Sequence, residues 1–444
     1  MLSAASACAT STTQSALATG NTQAAVAAYE AEQARDLDDL QRIAEHVLIV
    51  EARTEDRARS ERAWTILRGM GPRAEGVWRE LEDEPGEHDG ERVRAEALAF
   101  RAQLGDATAW RELHALAEDA DAAEGAGRDP EVLALAVETL DPERGAESLR
   151  AWARSTSASV RSAALEQLAS SPVAAETRAL LSELARSEPD EGVRIAAIRA
   201  LAQQGPNAST SLEALARGEP DDDARAAALG ALLAVDPLRA EPLCAAVLSD
   251  APSMLGVAVA HDVLTRAQRG QRSDSLEATA EQQILSALAA PNPTLRARAA
   301  TATLVLAQPP ARSAMRQELE QRIGAERDRR VHILLALALR TGPSSKHALE
   351  ELAEGKDVPA AQAAAELWLA NDPKAARRLQ ELATSTDPSV RATAAAALAR
   401  GFDFASVRQQ PITSAHALLD SDPRVRTTVA AAILRSIERL QAQP

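Results

Sequence analysis

Small apolar residues recur along this chain at three- and four-residue intervals, and no stretch alternates apolar with polar residues long enough to read as a strand. In residues 387–398 the sequence is Asp-Pro-Ser-Val-Arg-Ala-Thr-Ala-Ala-Ala-Ala-Leu, which puts Val390, Ala394, Ala397 and Leu398 on one helical face. A polar turn precedes that run, and before the turn lies another apolar run ending Leu379-Gln-Glu-Leu-Ala383. The same ending returns at Leu181–Ala185, Leu212–Ala216 and Leu349–Ala353. The pattern predicts pairs of short helices joined by polar turns, and the whole chain reads as helix and turn.

The second helix of each pair repeats most clearly. Copies begin at Asp422-Pro-Arg-Val-Arg, Glu191-Gly-Val-Arg, Ser159-Val-Arg, Asp223-Ala-Arg, Pro293-Thr-Leu-Arg and Glu91-Arg-Val-Arg. Their arginines are Arg94, Arg161, Arg194, Arg225, Arg296, Arg391 and Arg426, and adjacent copies are 33 (161 to 194), 31 (194 to 225) and 35 (391 to 426) residues apart. Degenerate copies at Asp129–Leu135, Ser253–Ala258, Arg329–Leu335 and Val358–Ala364 fill the longer gaps. Asp or Asn before Pro suits a helix start, because the side chain caps free N–H groups and Pro at the first helical position loses no hydrogen bond. Asp236-Pro237, Asn292-Pro293, Asp372-Pro373, Asp387-Pro388 and Asp422-Pro423 fit that use. One such pair cannot bury its apolar stripe alone, so neighbours must stack. The repeated arginine either forms a ligand-binding ladder or bonds acids and carbonyls of the adjacent unit, and the second reading is the plainer. Leu398→Ala is expected to cost about 2–5 kcal/mol and to fray the C-terminal end first.

Val-Arg-x-x-Ala-Ala after Asp-Pro resembles the phrase that marks HEAT repeats. At this short period the units resemble the HEAT-like repeats also found in phycobilisome bilin lyases, over roughly residues 55–444. The resemblance implies an all-α fold, a right-handed α-α superhelix, in which residues 36–444 form a HEAT-like solenoid of about 11–12 helix pairs. Its second helices would line a concave face.

Residues 1–35 read as an N-terminal tail. Small residues before Cys8 and the Ser/Thr-rich stretch Ala9–Ser15 after it resemble the processing site of a bacterial lipoprotein, with Ala5 where that pattern carries leucine. The resemblance implies lipidation of Cys8, a start upstream of Met1 and a place at the cell envelope, lipid-anchored or periplasmic; the alternative is a plain tail on a cytoplasmic protein. Gly20–Tyr29 resembles half of a tetratricopeptide unit and is expected to form an amphipathic capping helix. Leu37–Val50 would be its partner, closing the open end of the stack.

Charge narrows the partners. A net charge of −16 and a pI near 5.1 oppose binding to a polyanion, so no nucleic acid is expected. No run approaches the roughly 18 apolar residues of a membrane span, which leaves Cys8 as the one expected route to a membrane. Cys8 and Cys244 lie too far apart in sequence to suggest a disulfide framework or zinc site, and Cys244 reads as a small buried hydrophobe. The histidines at 46, 88, 114, 261, 332, 347 and 416 lack metal-ligand spacing. None is followed by Glu, as the di-iron hydroxylases built on HEAT repeats require. Glu87-His88-Asp89 reads as a solvated turn, and Asp221-Asp222-Asp223 as a helix cap. Trp64, Trp78, Trp110, Trp152 and Trp368 read as gap fillers in imperfect units, with exposed interface anchors as the alternative.

No catalytic, cofactor-binding or metal-binding residue is expected, and no cofactor. The expected function is a non-enzymatic interaction scaffold that binds a protein or peptide partner on the concave face. The alternatives are a bilin lyase-like or other modifying enzyme built on the repeats, and a nucleic-acid-binding HEAT-like protein.

Overall fold

A computed structural model describes residues 12–31, 36–83, 90–118, 129–140, 142, 145–171, 174–271, 273–306, 313–339, 343–400 and 413–442. Cys8, the expected lipidation site, lies outside them, as do Glu87, His88 and Asp89. Among the described residues every regular element is helical. In chain order the α-helices are α1 (Thr12–Ala18), α2 (Thr22–Ala31), α3 (Leu37–Ala52), α4 (Arg57–Met70), α5 (Glu75–Asp83), α6 (Gly90–Gln103), α7 (Ala107–Glu118), α8 (Pro130–Val137), α9 (Ala146–Trp152), α10 (Ala158–Ala169), α11 (Ala175–Ser187), α12 (Glu191–Gln203) and α13 (Ser209–Gly218). They continue as α14 (Asp222–Val235), α15 (Pro237–Ser249), α16 (Met254–Gln268), α17 (Asp274–Leu288), α18 (Pro293–Leu306), α19 (Ser313–Ile323), α20 (Arg329–Leu339), α21 (Pro343–Ala353), α22 (Val358–Leu369), α23 (Pro373–Leu382), α24 (Pro388–Arg400), α25 (Thr413–Ala417) and α26 (Pro423–Gln441).

The helix starts follow the sequence closely. Asp190 accepts from the Val193 N–H at 3.0 Å, Asp221 from Ala224 at 2.8 Å and Asn292 from Thr294 at 2.9 Å. Asp372 accepts from Lys374, Asp387 from Ser389 and Asp422 from Arg424, each at 2.8 Å and each with Pro at the first helical position. Each bond satisfies an N–H that the helix itself leaves without a partner.

The chain divides into two compact units. Unit 2 is Arg101–Ala348, and unit 1 joins Met1–Phe100 to Leu349–Pro444. In unit 2 the second helices α8, α10, α12, α14, α16, α18 and α20 lie side by side, each against the next. First helices such as α11, α13, α15 and α17 pair with them from one side. The stack buries Leu165, Leu168, Ile198, Leu201, Leu229, Leu232 and Leu264, the apolar stripe expected of each second helix. Gly256 on α16 lets α17 approach, because a Cβ there would collide with the buried amide of Gln283.

Unit 1 is assembled from both ends of the chain. Helices α22, α23 and α24 continue the pairing, and α24 packs on α26. Helix α26 in turn packs on α3 and α4. Tyr29, Leu40, Ile43 and Leu48 share one buried apolar cluster with Val425, Val429, Ile433 and Ile437. Fully burying one such aliphatic side chain stabilises by about 1.5–3 kcal/mol, so several of them contribute to holding this junction.

Two expectations change here. The helix at Thr22–Ala31 and its partner do not close an open end, because α3 is covered by the C-terminal helix. For the same reason the C-terminal helix is now expected to be held by α3 and α4 rather than to fray first. Leu398 is only half-buried, whereas Ala392, Ala394, Ala395, Ala396, Ala397 and Ala399 are all buried. Helix α24 has neighbours on several sides, and alanine is what fits there. The penalty expected for Leu398→Ala shrinks accordingly.

Candidate interaction surface

The repeated arginines are held by a recurring hydrogen-bond pattern. Arg161 donates from Nη1 to the carbonyls of Ser155 (2.9 Å) and Thr156 (3.1 Å) in its own turn. Its Nε and Nη2 fork onto Glu188 of the next helix pair at 3.1 and 2.6 Å. Arg296 does the same with Ala290, Pro291 and Glu326, and Arg391 with Ser385, Thr386 and Asp420. Arg194 keeps the two carbonyls, of Glu188 and Pro189, and lies 3.7 Å from Glu219. Where the pattern is complete, four of the five guanidinium donors have protein partners, which is a structural rather than a ligand-binding arrangement.

Two members depart from it. Arg225 donates to the Ala216 carbonyl at 2.9 Å. Arg94 is exposed, and its neighbour Arg92 takes the buried place with Glu61 as partner. His332 occupies the arginine register in α20, four residues after the cap Asp328, and is buried.

The last arginine finds its acid at the other end of the chain. Arg426 donates to the carbonyls of Asp420 and Ser421 in its own turn, and its Nε and Nη2 reach Glu51 of α3, with Nε at 2.9 Å. Arg59 of α4 forks onto the same carboxylate at 3.1 and 3.2 Å. The Glu51 side chain is 2% exposed, so two cations neutralise a carboxylate removed from water. The α3/α4 hairpin thus stands where the next helix pair after α26 would stand.

The acids of this ladder escaped the sequence reading, yet they carry a signal. Glu188, Glu219, Glu326 and Asp420 each stand two residues before an aspartate that caps the next helix: Asp190, Asp221, Asp328 and Asp422. Each accepts the N–H of that aspartate, at 3.2, 3.3, 2.7 and 2.8 Å. The Arg391 guanidinium holds the Asp420 carboxyl below its usual range. Arg424 pulls Asp422 down to about 2. At Glu326 burial acts upward, but the Arg296 fork and the N–H groups of Asp328 and Arg327 outweigh it, and the net shift is downward. A carboxyl depressed in the fold stabilises above its unfolded pKa, and that stability is lost as pH falls through the folded value. Burial raises Glu45 and gives it the opposite sign, offsetting part of the loss. The urea midpoint should therefore begin to fall below about pH 6.5, where the unfolded chain protonates His46 and His261 while burial keeps both neutral in the fold, and should fall further from about 4 toward 2. A midpoint unchanged at pH 3 would refute the ladder as a source of stability.

The tryptophans divide by burial. Trp64, Trp78 and Trp152 are fully buried, and Trp368 is half-buried. Trp64 stacks on Trp78 at 5.3 Å between ring centroids, and Trp78 on Phe100 at 4.9 Å. Trp110 is 39% exposed and stacks on His114. Cys244 is buried, and burial pushes its thiol up to about 12, with Asp262 adding to the effect. It should resist iodoacetamide at pH 8 in the native protein and react once the chain is denatured. Rapid labelling of the folded protein would show that α15 opens readily.

Among the described residues, the second helices of unit 2 keep one face exposed. Its exposed positions are Glu166 on α10, Arg199 and Gln203 on α12, Asp223 on α14, Met254 on α16, Thr294, Arg298 and Thr301 on α18, and Arg330 on α20. Arg298 reaches Asp223 at 3.1 Å, bridging from α18 to α14 past α16. The bridge ties α14 to α18 across this face. Beneath the bridge, burial lowers the His261 pKa, with Asp262 opposing and Arg298 adding to the shift. Among the described residues no group of three or more His, Cys, Asp or Glu is placed to hold a metal ion. No helix there is long and apolar enough to cross a membrane.

Comparison with known proteins gives the following. No curated protein matches the sequence. Among solved structures the chain is similar to Kap95p in a study of its binding to RanGDP, at 16% identity, covering 90% of this chain and 56% of that one, with a TM-score of 0.35. In a Kap95:Nup1 complex the values are 14%, 90%, 56% and 0.36. With UNC-45 from Drosophila melanogaster they are 12%, 95%, 79% and 0.34. The chain therefore spans little more than half the length of the Kap95 chains it matches. The family model for HEAT repeats matches residues 146–233, the stretch from α9 to α14. Residues 146–233 thus match the HEAT-repeat model, within an all-α array of stacked helix pairs.

Proposed function

We propose that this chain is a non-enzymatic scaffold that binds a protein or peptide partner along the exposed face of the unit 2 second helices. The observation that carries the reading is the exposed row from α10 to α20, tied across by the Asp223–Arg298 bridge. Its exposed side chains mix both charges with small polar groups, the composition of an interface rim rather than of a helix-packing seam. The ladder arginines face away from such a role, because acids and carbonyls hold them. Lipidation of Cys8, with a place at the cell envelope, belongs to the same proposal and is read directly by metabolic labelling of the wild type against Cys8→Ser.

Affinity capture with crosslinking from the source cells tests the scaffold reading. Crosslinks should concentrate on α10, α12, α14, α16, α18 and α20. Arg199→Glu combined with Arg330→Glu should weaken the captured partner by about tenfold or more, which is 1.4 kcal/mol. Crosslinks on the first helices only, or turnover of a small substrate without any protein partner, would overturn it.

A further inference from the structure

We infer that the junction between α26 and the α3/α4 hairpin is exchangeable, so that a second copy of this chain can supply either side of it. Three observations lead there. The junction joins segments that are far apart in sequence, since Arg426 and Glu51 are separated by 375 positions. It repeats the contact made between consecutive helix pairs elsewhere, an arginine at the start of one second helix forked onto an acid near the end of the next first helix. Its carboxylate and apolar groups are removed from water, with Glu51 buried among Arg426 and Arg59 and with Leu40, Ile43, Val429 and Ile433 in one apolar cluster.

A surface with those properties does not distinguish its own hairpin from an identical one. Within one chain the hairpin has the advantage of a high effective concentration. Between chains the same bonds form with nothing added, so the two arrangements differ by tether entropy and by whatever the intervening unit must do to open. Exchange of an identical element is a low-cost route to a dimer. The occupant is thus a second copy, each contributing α3 and α4 to the α26 of the other. This goes beyond the partner-binding role of unit 2 and does not depend on it.

Two full-length variants test the exchange. Glu51→Arg places a second guanidinium against Arg426, and Arg426→Glu places a second carboxylate against Glu51, so each chain alone carries a mismatched junction. Mixed, denatured together and refolded, they can pair reciprocally. One junction then has the native Glu51 with Arg426, and the other has the same ion pair with its charges reversed. Light scattering should give about one chain mass for each variant alone and a twofold mass for the mixture. A single chain carrying both substitutions serves as the folding control and should be monomeric with native helix content. If the mixture stays at one chain mass, or stays unfolded, while that control folds, the junction is not exchangeable. If the control does not fold, wild-type chain refolded at rising concentration decides: a growing species of twofold mass supports exchange, and an unchanged monomer overturns it.

Discussion

Replacing Glu51 by alanine lowers the unfolding free energy of unit 1 by about 3 kcal/mol, the low end of the range for breaking a buried ion pair. The loss arises because two guanidinium groups, those of Arg426 and Arg59, keep their charge and lose the carboxylate that both address. Each arginine retains some contact with solvent, at 19% and 30% exposure, which keeps the value from going higher. The effect should appear at both ends of the sequence at once. Amide exchange in α3 and in α26 should accelerate together, because the two helices share one apolar cluster. A change below about 0.5 kcal/mol, the size of an ordinary surface substitution, would mean that the carboxylate is not buried as described.

Trp78→Ala should cost about 3–5 kcal/mol. Trp78 is fully buried and sits between two other rings, stacking on Trp64 at 5.3 Å and on Phe100 at 4.9 Å. Removing it opens a void in a row of three aromatic residues, and losing two stacked partners adds to the loss of buried area. Its neighbour Trp64 donates from Nε1 to Ser60 at 2.7 Å, and Ser60 donates to the Ala52 carbonyl, so the void would also loosen the turn between α3 and α4. Trp110→Ala is the contrasting case: at 39% exposure it should change stability little. Urea titration of the two variants side by side checks both, and equal costs would contradict the division by burial.

Much of the repeat was legible in the sequence because its signals are local. A capping aspartate, a proline after it and an arginine four positions on lie within one turn, and each has a short-range physical reason. Cys244 and the buried tryptophans were legible for a similar reason, since size and hydrophobicity bound where they can sit. The ladder acids were half legible. An acid two residues before each capping aspartate recurs four times, but its purpose appears only when the arginine of the preceding pair arrives from 25 to 30 residues away. Arg94 and Arg92 show the limit within one helix. Both flank Val93, yet Arg92 is buried with Glu61 of α4 as a partner and Arg94 is exposed, a choice the local sequence does not announce.

The junction of the two chain ends was not legible. Where α3 meets α26 its apolar residues are mostly Leu, Ile, Val and Ala, the vocabulary of the other helix pairs, and no residue type marks Glu51 as the acceptor for Arg426. Glu51 also lies five residues before the cap Asp56 rather than two, so it falls outside the acid register of the other pairs. Alanine-rich helices pack well against many partners, which lets a solenoid sequence specify how neighbours stack without stating which surfaces remain uncovered.

Helices α3 and α4 act as the next helix pair after α26, and a double-mutant cycle between Glu51 and Arg426 measures that most directly. With Glu51→Ala, Arg426→Ala and the combined variant compared in urea, the pair should show a coupling energy of about 1–3 kcal/mol. Additive losses, with no coupling beyond about 0.3 kcal/mol, would mean that Arg426 and Glu51 do not address each other and that α3 and α4 do not serve as the next helix pair.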